Sequence, residues 1–103
     1  MNLEELIQQE EALFVLFGGA HCNVCHAIRP RLEAMVAERF PRMRFVYVDC
    51  EAVTDVCAQH GVFSLPVARA WFAGQKAGEW VRAFSLAEVG QALARPYALM
   101  FGN

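Results

Sequence analysis

Gly18-Gly19-Ala20-His21-Cys22-Asn23-Val24-Cys25-His26-Ala27-Ile28-Arg29-Pro30 is the stretch whose reading decides the fold. The apolar run Ala12-Leu13-Phe14-Val15-Leu16-Phe17 leads into it, and a segment with helical periodicity leads out as far as about Phe40. That order predicts a strand, a tight turn, and a helix opening on a Cys-x-x-Cys pair. In such a setting the pair reads as a dithiol/disulfide redox centre. Two cysteines three apart on a first helical turn can bridge with little backbone movement. Cys22 would lie beside unpaired helix N–H groups and the positive end of the dipole, which favours thiolate over thiol. Cys22 is therefore the candidate nucleophile. Cys25, one turn further in and more buried, is the candidate resolving thiol.

The bulk numbers narrow the function. The 103 residues are 56% hydrophobic and 19% charged, with a net charge of −2. This is the size and composition of one domain, residues 1–103. No basic patch marks the chain for nucleic acid, and no apolar run has the length needed to span a bilayer. The start Met1-Asn2-Leu3-Glu4-Glu5 lacks the positive region and apolar core of a secretory signal, so a chain beginning naturally there is expected in the cytoplasm. Four cysteines in that compartment do not suggest a static disulfide framework.

Outward from the cysteines, the elements follow from pattern. Asn2 and Glu5 have the form of a capping box, with Leu3, Leu6 and Ile7 on one side of a short helix. Ala12 to Phe17 is apolar throughout, as in a strand buried on both faces. Ile28, Leu32, Met35, Val36 and Phe40 recur at helical spacing; Pro30 should bend that helix and Pro41 end it. Phe45 to Asp49 forms a second strand, reached by a crossover long enough for parallel pairing. Val53 to His60 is a short helix stopped by Gly61. Val67 to Phe72 and Gly78 to Phe84 pair as a hairpin around Gly74, with Trp71 and Trp80 as packing residues. Ser85 and Glu88 box a last helix carrying Leu86, Val89 and Leu93, which Pro96 closes. Residues 96–103 are then an apolar tail that needs cover from the domain or a partner.

This order of elements, with Cys22 and Cys25 opening the second helix and the lone Pro66 before the hairpin, resembles the thioredoxin family. Cys22, Cys25, Pro30, Pro66, Gly74 and Ser85 fall at spacings like those of thioredoxin, and the likeness covers all but the tail. It implies an α/β fold with a central mixed sheet of four to five strands and helices on both faces. It also implies a thiol-disulfide oxidoreductase, a protein-disulfide reductase of cell redox homeostasis, with Cys22 attacking and Cys25 resolving. Such a protein binds no cofactor. Its partners are a disulfide-containing protein substrate and a separate thiol reductase that supplies electrons. The chain itself is expected as a monomer or weak homodimer. By the same resemblance Leu65-Pro66 is a cis bond, leaving Leu65 free to pair with an extended substrate strand, and His21 joins these two as a substrate-binding residue.

The departures from the family are specific. The usual Trp-Cys-Gly-Pro-Cys-Lys is replaced by His21-Cys22-Asn23-Val24-Cys25-His26. The family's buried acid falls on Leu16 and its nearby lysine on Tyr47; a common threonine falls on Val67 and a loop glycine on Arg82. His21 and His26 could bring positive charge to Cys22 or carry a proton, against the plainer reading of polar residues at an exposed turn. Arg29 and Arg82 could raise the local potential or simply stay solvated. Cys50 and Cys57 read as packed, inert thiols, able to bridge under oxidation.

Three rivals compete. Cys22-Asn23-Val24-Cys25-His26 has the form of a c-type haem attachment site, which would need export and a haem-sized pocket. His21, Cys22, Cys25 and His26 could offer two or three zinc ligands, though neighbours on one turn converge poorly on a tetrahedral ion. The third rival is a binding or redox-sensing module with little turnover.

Overall fold

The computed structural model describes residues 2–102. Its elements run α1 (Leu3–Gln9), β1 (Ala12–Gly18), α2 (Asn23–Arg39), β2 (Arg44–Asp49), α3 (Thr54–Gln59), β3 (Val67–Phe72), β4 (Gln75–Val81) and α4 (Leu86–Phe101). The four strands form one mixed sheet in the order β2-β1-β3-β4. β1 pairs with β2 in parallel and with β3 antiparallel, and β3 pairs antiparallel with β4.

The absence of polar alternation in β1 follows from its place between two helical layers. Successive side chains of a strand point to opposite faces. Phe14 and Leu16 pack with Ala68, Ala70 and Phe72 of β3 beneath Leu32 and Val36 of α2 and Val89 and Leu93 of α4. Leu13, Val15 and Phe17 pack on the other face with Val46 and Val48, against Leu3 and Ile7 of α1 and Cys57 of α3. All seven residues of β1 are buried. Each fully buried Leu or Phe contributes on the order of 2 to 3 kcal/mol, so this strand anchors both cores at once.

The caps match the sequence patterns in kind. The Asn2 side chain accepts the Glu5 N–H at the start of α1, and Ser85 and Glu88 satisfy each other's backbone N–H groups at the start of α4. α2 runs unbroken through Pro30.

Two element boundaries differ from the sequence expectation. β4 spans Gln75–Val81, not Gly78–Phe84. Phe72 opposes Gln75 directly, so the hairpin loop is only Ala73-Gly74, and β4 begins at once. Gln75, Lys76 and Ala77 are all exposed, as an edge strand with a wet outer face allows. The second correction concerns Pro96, which does not close α4. Proline withholds an N–H from the Ala92 carbonyl, but Ala92 is exposed, so the helix continues on the wet side of the domain. Beyond it the residues expected as a tail continue the helix. Tyr97 packs edge-on against Phe40 with ring centroids 5.1 Å apart, and its Oη accepts the Arg42 N–H at 3.0 Å. Phe101 packs at a tilt against Tyr97 and beneath the Arg42 guanidinium.

Both residues of the hairpin loop are left-handed, Ala73 at φ 53° and Gly74 at φ 79°. A two-residue turn of this type suits glycine or asparagine, and Cβ makes it costly for alanine. Ala73 is exposed, so Ala73→Asn is expected to raise the unfolding free energy by about 0.5 to 1 kcal/mol in urea titrations.

Candidate active site

The parallel pair β1 and β2 sets the location of the site. β1 ends at Gly18 and β2 at Asp49, which are register partners, so the segments leaving them emerge side by side at one edge of the sheet. The segment after β1 carries the Cys-x-x-Cys pair; the segment after β2 carries Cys50 and Glu51.

Cys22 is the N-cap of α2. Its backbone is extended, and its Sγ accepts the Cys25 N–H at 3.2 Å. A sulfur in that position satisfies one of the orphan donors of the first turn, an arrangement that strengthens when the sulfur is charged. Cys22 is partly exposed, whereas Cys25 is fully buried. In this structure the two are bridged, with Cα atoms 5.3 Å apart. One sulfur is thus reachable from solvent and its partner is shielded.

The turn before the helix is held from several sides. Cys22 N–H returns to the Gly19 carbonyl, and His26 Nε2 lies 2.8 Å from the Ala20 carbonyl oxygen. His21 is clamped by Glu51: its backbone N–H donates to Oε2 at 2.8 Å and its ring Nδ1 lies 2.6 Å from Oε1. Gly19 makes room for this clamp, since a Cβ there would stand 2.6 Å from the same Oε2. The hydrogen bond that the His21 ring donates to Glu51, followed by the charge of Glu51, lifts the imidazole above its usual range. In return the His21 backbone N–H, then its ring, holds the Glu51 carboxyl below the usual carboxylate range. The sign is therefore clear at both ends: the clamp weakens in acid as Glu51 takes a proton, and in alkali as His21 loses one.

Sequence reasoning missed Glu51. The available signal was its place two residues beyond a strand parallel to the one that delivers the cysteines.

Leu65-Pro66 is cis, and Pro66 is buried at the entrance of β3. Among the described residues neither the N–H nor the carbonyl of Leu65 has a backbone partner. The Pro66 carbonyl accepts from the Arg82 N–H at 2.7 Å, which ties the loop after β4 to the proline. Arg82 has φ 62°, the backbone region where the family's glycine is at ease, and its side chain is exposed. Val24, Phe63 and Val81 are apolar and exposed in the three segments that bear Cys22, Pro66 and Arg82.

Leu16 and Tyr47 are register partners on the α2 face of the sheet. Tyr47 lies close over Gly18, where any side chain would collide with its ring and hydroxyl. Burial, above all, raises the Tyr47 hydroxyl beyond its usual range. The Arg29 guanidinium sits 3.9 Å over the same ring, so Arg29 is engaged with Tyr47 rather than merely solvated. Cys50 and Cys57 are not separate packed thiols: they are bridged, with Cα atoms 5.7 Å apart. Among the described residues no three His, Cys, Asp or Glu side chains gather as a metal set, and no helix is long and apolar enough to cross a membrane.

The sequence profile of the Thioredoxin family matches residues 1–95. A thioredoxin-like protein of Bacillus subtilis, YdfQ, is 28% identical over 103 residues, all of this chain and 91% of that protein. The chloroplastic thioredoxin-like 3-2 protein of Arabidopsis thaliana is 33% identical over 78 residues, 75% of this chain and 41% of its own length. Among solved structures, oxidised mitochondrial thioredoxin 3 of Saccharomyces cerevisiae superimposes with a TM-score of 0.77 at 24% identity, covering 89% of this chain and 86% of the other. Thioredoxin 1 of Thermosipho africanus gives 0.77 at 23% identity, with coverage of 84% and 96%. At such identities the superpositions speak to the fold.

Proposed function

The chain belongs to the thioredoxin family, and from that premise we propose that it is a thiol-disulfide oxidoreductase that reduces protein disulfides through Cys22 and Cys25. The observation that carries this reading is the partly exposed Cys22, its Sγ accepting the Cys25 N–H in the first turn of α2, with Cys25 itself buried.

In the reduced chain the Cys22 thiolate attacks one sulfur of the substrate disulfide. The substrate S–S bond breaks, a Cys22–substrate mixed disulfide forms, and the first substrate thiolate leaves and takes a proton. The Cys25 sulfur then attacks Cys22 Sγ, which releases the second substrate thiolate and closes the Cys22–Cys25 bridge. Leu16 stands where the family carries its proton-accepting acid, so the Cys25 proton passes to the departing thiolate, the strongest base formed in the step. The unpaired backbone of Leu65, fixed beside Pro66, supports strand-like binding of the substrate, with His21 and Arg82 at its border. A separate thiol reductase returns two electrons to the bridge. The proposed setting is the cytoplasm, and the proposed state a monomer or weak homodimer.

A second reading, a redox-sensing module with slow turnover, is favoured by the Leu16–Tyr47 packing, because neither side chain can serve as the family's acid and lysine. Reduction of a model disulfide protein with dithiothreitol as donor separates the two. Wild type is expected to accelerate it and Cys22→Ser to lose on the order of 1,000-fold or more, as for removal of a covalent nucleophile. Wild type no faster than Cys22→Ser would leave only the sensing role.

A further inference from the structure

The first site uses only one of the two cysteine pairs. The Cys50–Cys57 bridge spans the exit of β2 and the buried side of α3, and Glu51 is the residue next to it. We propose that Cys50 and Cys57 form a second thiol-disulfide site, open to low-molecular-weight thiols at Cys50, whose bridged state keeps Glu51 on the turn that carries Cys22. The proposal deepens the reading above and rests on it only for the effect on Cys22.

The two sulfurs differ in access as the first pair does: Cys50 is partly exposed and Cys57 is buried in the core beside Val48 and Val62. Both backbones are held independently of the bridge. Cys50 N–H donates to the Gly18 carbonyl at 2.8 Å, and the Cys57 carbonyl accepts from Val62 N–H at 2.8 Å. Opened thiols therefore stay near each other and can close again. Glu51 to Asp55 are all exposed, and Val53 caps α3 without any side-chain hydrogen bond. Bonds from Glu51, Ala52 and Val53 N–H to Asp49 hold the near end of the segment, the Cys57 N–H bond to the Val53 carbonyl holds its far end, and the bridge adds a covalent tie between Cys50 and the buried Cys57.

The chemistry balances as ordinary exchange. A thiolate such as glutathione attacks Cys50 Sγ, the Cys50–Cys57 bond breaks, and Cys57 leaves as a thiolate that takes a proton. A second thiolate attacks the outer sulfur of the mixed disulfide, giving two protein thiols and one low-molecular-weight disulfide. The reverse sequence, with that disulfide as oxidant, closes the bridge. Opening frees Glu51 from His21. His21 then faces Asp49 without its closest carboxylate, and the turn before Cys22 loses its outer clamp.

Two measurements test this, and neither depends on turnover. In Cys22→Ser/Cys25→Ser, glutathione buffers of graded ratio, with acid quenching, alkylation and mass analysis, are expected to convert the second pair between bridge and dithiol. Cys57→Ser should collect a glutathione adduct on Cys50. A pair that bridges in none of the buffers, or an adduct-free Cys50, overturns the site. In the full chain with Cys22–Cys25 oxidised, the His21 imidazole titration followed by NMR is expected to fall in Cys50→Ser to the midpoint found in Glu51→Gln. A midpoint unchanged from wild type overturns the link to the clamp. Should Cys50→Ser not fold, the same titration on wild type before and after opening of the second bridge reads the same shift. A chain inert as a reductase can still pass or fail both tests, so the two readings fail separately.

Discussion

Cys25→Ser is expected to turn the chain into a trap: it should form a stable mixed disulfide with its substrate and lose roughly 100-fold or more of its turnover. Cys22 keeps what makes it reactive, since its sulfur still caps the helix on the N–H of residue 25, a backbone group the substitution leaves in place. What disappears is the second attack. Serine is nearly the size of cysteine and replaces a fully buried side chain, so folding should persist while the hydroxyl cannot break a disulfide. Mixing Cys25→Ser with a disulfide protein and resolving the products without reductant should show one adduct per chain, dissolved by dithiothreitol. An adduct equally abundant in Cys22→Ser would assign the attack elsewhere.

The second large effect concerns Leu16. Leu16→Asp restores the family's acid at a position with no exposure, between Tyr47 on one side and Ala68 on the other. An unpaired carboxylate there is expected to cost about 3 to 5 kcal/mol at neutral pH. Burial would push its pKa up. The unfolded chain ionises first as pH rises, so the loss should be smallest in acid, grow above about pH 4, and level off above the raised folded value. Adding Tyr47→Lys supplies a partner across the strand pair and should recover part of the loss, a coupling visible in a double-mutant cycle by urea unfolding. An equal loss at pH 4 and pH 8, with no recovery, would mean that the damage is one of shape alone.

Much of this was legible in the residues because local chemistry and global packing agreed. The continuous run from Ala12 to Phe17 signalled a central strand, and the structure covers it on both faces. Cys22 and Cys25 announced a helix start, and Cys22 is the cap itself. Val67–Phe72 has the bounds its apolar pattern gave. The misreadings share one cause: a residue was judged by its own preference where its surroundings decided. The strand was expected to start at Gly78, but a two-residue turn and a sheet edge that accepts exposed residues let it start at Gln75. Pro96 was a breaker, but the helix runs on through it, with Tyr97 packed on Phe40 and Phe101 beneath Arg42. Cys50 and Cys57 looked like filler because nothing local says that a strand end and a helix face come together. Glu51 was invisible for the same reason, its partner being thirty residues away.

The parallel run of β1 beside β2, with β3 reversed, has a practical consequence. Both sulfur pairs and Pro66 gather at one pole of the molecule, while the Ala73-Gly74 bend lies at the opposite pole beside Glu11. A dye, bead or fused module attached at that bend would sit a full strand length from the reactive pole. The chain could then be fixed to a surface with its sulfurs still facing the solution.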